Sequence, residues 1–228
     1  MTIKQRLCLI ALFAAVLCLG SLAARAQQIN EGFESAPALP AGWIARNQST
    51  VIGTNTNCWN AIATTPAPHA GAASAVANFN CAAGTNTISG WLISTQETNL
   101  QNGNTLSYWT ITAGTFPDRM QVRLCLDTTP DSCGLAGSTG ATSTDVGNFT
   151  ILLRDINPTL VNGPYPTVFT QFSDVLAGLP AGPNSGRIAF RYFVTNGGPS
   201  GANSNRIQLD DVLLTDTVPV ELMTFEVE

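Results

Sequence analysis

Arg187-Ile-Ala-Phe-Arg-Tyr-Phe-Val194 puts Ile188, Phe190, Tyr192 and Val194 on one side of an extended chain. Successive side chains of a strand point to opposite faces, so this period of two predicts a β-strand with at least one buried face. Met120-Gln-Val-Arg-Leu-Cys-Leu126 repeats the pattern with Met120, Val122, Leu124 and Leu126. Working outward, further strands are expected over 74–80, 88–94, 104–113, 149–154, 167–173 and 206–214, bounded by Gly, Pro and Asn clusters. Nowhere in the chain beyond residue 26 does a long stretch show the 3.6-residue apolar period of a helix. About nine strands without intervening helices predict an all-β fold, an antiparallel sandwich or barrel. Asn102-Gly103, between two apolar runs, predicts a tight hairpin, because a primed turn needs residues tolerant of positive φ. Gly/Ser/Thr-rich stretches at 134–147 and 196–204 are expected as long loops at the ends of the sandwich.

The first 26 residues read differently. Lys4 and Arg6 precede an apolar run of 13 residues, Leu7 to Leu19, and Ala24-Arg25-Ala26 supplies a small-x-small cleavage pattern. Residues 1–26 are therefore expected to be a signal peptide, with the exported chain starting at Gln27. The run is short for a membrane span, and Leu17 before Cys18 argues against a lipoprotein cysteine. The expected product is secreted, with no membrane insertion of the mature chain. It carries seven Arg, no Lys and fifteen acidic residues, a net charge of −8. That surface argues against nucleic acid, whose phosphates need clustered cations, and against anionic membranes. One domain is expected over 27–216, followed by a short apolar-acidic tail, 217–228, and no internal repeat is found.

Export makes disulfides the natural reading of Cys58, Cys81, Cys125 and Cys133. Four cysteines allow three pairings and the sequence does not choose. The local pairs Cys58–Cys81 and Cys125–Cys133 are the simplest, each closure being worth roughly 2.5–3.5 kcal/mol before strain. Zinc is a weak alternative, with no Cys-x-x-Cys and a single His.

Several motifs in chain order carry a family resemblance. They are Asn30-Glu-Gly-Phe-Glu-Ser35 followed by Pro37-Ala-Leu-Pro-Ala-Gly-Trp43, Gly90-Trp-Leu-Ile-Ser94, Thr105-Leu-Ser-Tyr-Trp109 and Phe116-Pro-Asp-Arg-Met-Gln-Val-Arg-Leu124. A closing block runs Gly186-Arg-Ile-Ala-Phe-Arg-Tyr-Phe-Val194, Gly197-Gly-Pro-Ser-Gly-Ala-Asn-Ser204 and Ile207-Gln-Leu-Asp-Asp-Val212. Together they resemble the choice-of-anchor J domain, a bacterial family related to the cleaved adhesin domains of surface proteases. The resemblance covers nearly all of the exported chain. It implies a jelly-roll β-sandwich, secreted or displayed on the cell surface, without catalysis as a general property. The tail departs from the family, because no sorting or stop-transfer signal follows Val218.

The resemblance also implies a structural calcium, held between an early acidic residue and an Asp near the last strand. By position these are Glu34 and Asp210. Strict alternation puts Asp211 on the face of Ile207 and Leu209 and Asp210 on the other, which leaves the choice between them open. The plain alternative pairs Asp210 and Asp211 with Arg187, Arg191 or Arg206, or leaves them facing water. His69 lacks a Gly-x-Ser-x-Gly elbow to serve and reads as a surface hydrogen-bonding residue. Among Glu31, Glu34, Glu97, Asp118 and Asp174 any glycosidase-like pair is expected by chance alone, and Asp118 beside Arg119 and Asp155 beside Arg154 read as ordinary solvated or paired charges. Gly197-Gly-Pro-Ser-Gly, without a lysine or a following helix, reads as loop geometry. Trp43, Trp91 and Trp109 are expected in the core, whereas Trp59 and Tyr165, in polar loops, are candidate displayed aromatics. The leading expectation is a non-catalytic sandwich that binds an extracellular glycan or surface protein through loops near 53–70, 134–147 and 157–168. A self-associating envelope or matrix protein and a glycan-active hydrolase are the alternatives.

Overall fold

The computed structural model describes residues 27–63, 65–138, 140 and 142–216; the expected signal peptide and C-terminal tail lie outside the described residues. Twelve strands form among them: β1 (Gln27–Glu31), β2 (Ile44–Asn47), β3 (Asn60–Ile62), β4 (Ser74–Asn78), β5 (Asn86–Ile93), β6 (Glu97–Leu100), β7 (Thr105–Thr112), β8 (Met120–Leu126), β9 (Ile151–Ile156), β10 (Thr170–Val175), β11 (Asn184–Gly197) and β12 (Arg206–Thr215). The first sheet has the order β10-β7-β12-β4-β3, with β1 added along β12. The second has the order β2-β5-β11-β8-β9, with β6 added along β11. Every pairing is antiparallel, and the fold is the expected all-β sandwich.

Ile188, Phe190, Tyr192 and Val194 of β11 do face the core. They share it with Ile207, Leu209, Val212 and Leu214 of β12 and Leu106 and Tyr108 of β7. Burial of each large apolar side chain contributes about 1.5–3 kcal/mol. At one edge of the sandwich Arg154 of β9 ties the sheets together. Its Nε donates to Asp174 of β10 at 2.8 Å, and its guanidinium lies 5.1 Å from the Phe172 ring centre. Cys58–Cys81 and Cys125–Cys133 are the two disulfides.

Three expectations need correction. The turn at Asn102-Gly103 exists, with Asn104 N donating to Gln101 O at 3.2 Å and Gly103 at φ +93°. It does not close a hairpin: β6 pairs with β11 in one sheet and β7 with β12 and β10 in the other. Turn chemistry fixes the reversal, but which sheet each strand joins is decided by burial of the flanking residues. In β12 the alternation breaks. The register against β7 slips between Asp210 and Leu213, and Asp211 takes φ +45°. This bulge moves the core-facing set from Ile207 and Leu209 to Val212 and Leu214, so Asp211 is not on the face strict alternation gives it.

The third correction concerns 134–147, which lies over the outer face of the second sheet instead of standing at an end. Val146 and Phe149 pack there on Trp91, Ile93, Cys125 and Ala189 in a second apolar cluster. Arg191 is fully buried beneath them, 4.8 Å from the Trp91 ring centre and 4.1 Å from that of Phe193. It donates to the carbonyls of Thr142 at 3.0 Å, Ser143 at 3.3 Å and Gly140 at 3.4 Å. Arg123 adds a bond to Phe149 O at 3.1 Å. Burial lowers the Arg191 pKa to about 9, the expected direction for a cation removed from water.

Candidate functional site

Two polar regions on the sandwich follow from these loops. The first forms at the β12 bulge. Asp210 Oδ2 accepts from His69 N at 2.8 Å and Ala70 N at 3.3 Å, and Oδ1 from Asp211 N at 2.9 Å. Glu34 Oε2 accepts from Ala72 N at 2.7 Å. Asp211 Oδ2 lies 2.6 Å from His69 Nδ1, and the His69 ring stacks on Trp109 at 3.8 Å between centres. The three acidic residues named from the sequence are thus brought around one segment, 69–72. Asp210 is pushed up to about 6, chiefly by burial and also by the Asp211 charge, against the pull of its three N–H donors. Glu31 is raised too, by burial and then by the charge of Glu34. Asp210 and Asp211 are not ion-paired with Arg187 or Arg191: Arg187 pairs with Asp131 at 2.8 Å, and Arg191 is spent on carbonyls.

Glu34 Oε1 and Asp211 Oδ1 lie 3.5 and 3.6 Å from where a Cβ on Gly32 would stand. The missing side chain leaves two carboxylate oxygens facing one point, and hard oxygen donors suit calcium. Among the described residues no group of three His, Cys, Asp or Glu already converges as a metal site. Any ion here needs backbone carbonyls or water to complete its shell.

The second region is a cleft of about 280 Å³ between segment 113–118 and segment 157–167, lined among others by Phe116, Asp118, Asn162 and Tyr165. Its walls are pinned by directional bonds. Asn157 Nδ2 donates to Asp118 O at 2.8 Å and Val161 O at 2.9 Å, and Thr112 N donates to Pro166 O at 2.8 Å. Asp118 is fully buried at the base. Its Oδ1 accepts from Tyr192 OH at 2.5 Å and Asn205 N at 2.8 Å, and its Oδ2 accepts from Thr112 Oγ1. Burial raises its pKa, and these donors oppose the rise. Asp118 is thus neither a solvated charge nor paired with Arg119, which binds Asp155 in a two-point contact at 2.8 and 2.6 Å. Asp155 is a paired charge, with Arg119 as its partner instead of Arg154.

The aromatic expectations fare unevenly. Trp59 is not displayed: it is 0% exposed, and its Nε1 donates to Gly90 O at 3.0 Å. The Cys58–Cys81 bridge draws it inward, against a strand whose Gly90 has no room for a side chain, since a Cβ there would lie 2.0 Å from Cys58 Sγ. Tyr165 is 2% exposed, its hydroxyl 2.7 Å from Thr110 Oγ1. The bond from Thr112 N to Pro166 O docks its segment on β7 and turns the ring inward. Trp43 is in the core and Trp91 in the second cluster, while Trp109 is half-buried on the outer face of the first sheet beside His69. Phe116, 48% exposed at the cleft, is the displayed aromatic that sequence reasoning passed over. Its signal was present: a bulky residue between a Gly-Thr turn and a Pro, ahead of the alternation of β8. Glu97 and Asp174 are each engaged, Glu97 by Thr95 Oγ1 at 2.7 Å and Asp174 by Arg154 and Tyr108.

Solved structures with this architecture include the K3 cleaved adhesin domain of Lys-gingipain from Porphyromonas gingivalis, at 21% identity and a TM-score of 0.51 over 84% of this chain and 100% of that one. The K1 cleaved adhesin domain of the same protein matches at 20% identity and a TM-score of 0.48 over 83% and 98%. A CBM22 xylan-binding domain from Paenibacillus barcinonensis matches at 11% identity and a TM-score of 0.45 over 84% and 95%. No family model matches the chain, and no curated protein matches it. The likeness to K3 is one of fold: the chain is a β-sandwich similar in architecture to that domain. Among the described residues no helix is long and apolar enough to cross a membrane.

Proposed function

We propose that this chain is a secreted, non-catalytic adhesin-like module of the choice-of-anchor J kind, and that it takes an extracellular glycan into the cleft beside Phe116. The observation that carries the reading is the cleft itself. It combines an exposed aromatic face with nearby amide and hydroxyl groups of Asn162, Thr115 and Thr167. Sugar rings present apolar C–H faces and polar edges, which such a lining complements. The pinning of both walls by Asn157, Thr112 and Asp118 means that little loop entropy is lost on binding.

Calcium belongs to the same proposal as a structural ion at the β12 bulge. Glu34 and Asp211 would hold it through the oxygens above Gly32, with Asp210 fixing segment 69–72. When bound, it offsets the repulsion among these carboxylates. The chain's own residues already do the positioning: Asp210 holds the backbone of His69 and Ala70, and Glu34 that of Ala72.

The test is an array of neutral and acidic glycans probed with the chain freed of residues 1–26, in calcium and in chelator. The reading expects a narrow set of bound glycans, competed by the free sugar and lost in Asn162→Ala with the fold intact. A blank array, or binding indifferent to Asn162 and Phe116, overturns it.

A further inference from the structure

Phe116 borders two hollows. Beyond the cleft, a second hollow of about 140 Å³ is lined by Phe79, Phe116, Gly198, Pro199, Gly201, Ser204 and Asn205. Their walls touch at a second place, where Gly114 of the first packs on Asn205 of the second: a Cβ on Gly114 would lie 1.9 Å from Asn205 Nδ2. From this adjacency on either side of Phe116 we infer that the ligand is a neutral oligosaccharide laid across Phe116, one unit in each hollow, instead of a single terminal sugar. The inference rests on the glycan reading above.

Size comes first. Small-molecule sites run to about 300–1,000 Å³; the first hollow lies at the lower bound of that range, and the two together lie within it. Charge comes second. No Arg lines either hollow, and the acidic group at the base, Asp118, is buried and occupied by donors from Tyr192, Thr112 and Asn205. With no cation to pair an anionic sugar, and with a chain of net negative charge, a neutral chain is selected. Rigidity comes third. Segment 198–205 is fixed to the cleft wall by Ser204 N donating to Pro117 O at 2.8 Å, and it is braced internally by Gly198 N donating to Ser204 Oγ at 3.0 Å. The spacing between the hollows is therefore set before a ligand arrives. A ring stacked on the exposed Phe116 face sits at the junction, in reach of both.

The experiment is calorimetric titration of the chain with three series of neutral β-1,4-linked oligosaccharides, of xylose, glucose and galactose, each from one to six units. The expected result is that one series binds, that affinity rises about tenfold from one unit to two, and that it levels off soon after. Phe116→Ala should bring the two-unit ligand down to the affinity of one unit, and Phe116→Trp should restore it. Equal binding of one and two units, lost in Asn162→Ala but kept in Phe116→Ala, overturns the laid-across ligand and leaves the glycan cleft standing. Failure of every series with the folded wild type, when acidic or branched glycans do bind on the array, overturns the neutral linear class alone. Failure of all glycans in both experiments overturns the inference together with the reading beneath it.

Discussion

The segments 134–147 and 157–167 are both built from turn-forming residues, Gly, Ser and Thr in the first and Asn, Pro and Thr in the second, yet one is glued to a sheet and the other props open a cleft. The difference lies in what each finds beneath it. Under 134–147 stand Arg191 and Arg123, whose guanidiniums satisfy loop carbonyls and whose burial seals the second apolar cluster. Against 157–167 stand Asn157 and the backbone of Thr112, which tie the segment at its two ends and leave its middle away from the sheet. Composition makes a loop, and a few directional donors decide whether it becomes cover or rim.

That contrast can be broken by substitution. Trp59→Ala should cost about 3–5 kcal/mol, read as a fall in urea midpoint, because a fully buried indole and its bond to Gly90 are lost. A stability change under about 0.5 kcal/mol, the range of ordinary surface substitutions, would return Trp59 to the surface. Arg191→Ala should cost about 3 kcal/mol by leaving carbonyls of the covering loop without donors. It should also raise amide exchange across 142–149 while glycan binding is kept. Binding lost along with that loop would mean that the cover is itself the recognition surface.

Glu97 gives a smaller effect with a defined sign. Burial raises its pKa from 4.5 to about 7, so its contribution is fully present below the unfolded value and is lost as pH rises through about 7. Wild-type stability should therefore fall between pH 5 and 8, by about 1–3 kcal/mol, and Glu97→Gln should flatten that slope. A slope unchanged in Glu97→Gln would assign the pH dependence elsewhere. The smallest change in stability, under about 1 kcal/mol, is expected for Phe116→Ala at its exposed position, although it weakens binding about tenfold. Chelation sharpens the other polar region: if calcium sits at the bulge, chelator lowers the melting temperature of the wild type but not of Glu34→Ala. A wild type indifferent to chelator removes the ion.

Much of the fold was legible. The span of β8 coincides with the alternating run 120–126, and β11 extends the run 187–194 at both ends. The two disulfides are the local pairs, the simplest of the three pairings that the sequence left open. The missed strands, β1, β2, β3 and β6, are three to five residues long, and in β3 a single apolar residue, Ala61, is fully buried, so alternation had nothing to act on. The cover over the second sheet had a signal that went unread. Opposite the core face of β11 stand Ala189 and Phe193, and opposite that of β5 stand Trp91 and Ile93, which marks both faces as buried.

At the candidate site, Glu34, Asp210 and Asp211 were named from the resemblance, and each contacts segment 69–72, but the bulge that lets Asp210 and Asp211 do so was not named. An aspartate at φ +45° leaves no trace in a pattern of alternating residues. The cleft was out of reach because its walls come from segments separated in the chain and joined by Asn157 and Asp118, whose roles depend on that joining.

The most direct measurement sets the wild type and Phe116→Ala on the same glycan array, both checked for equal melting temperature. The account predicts that the variant holds the wild type's glycans about tenfold more weakly. Equal binding by wild type and variant would contradict it.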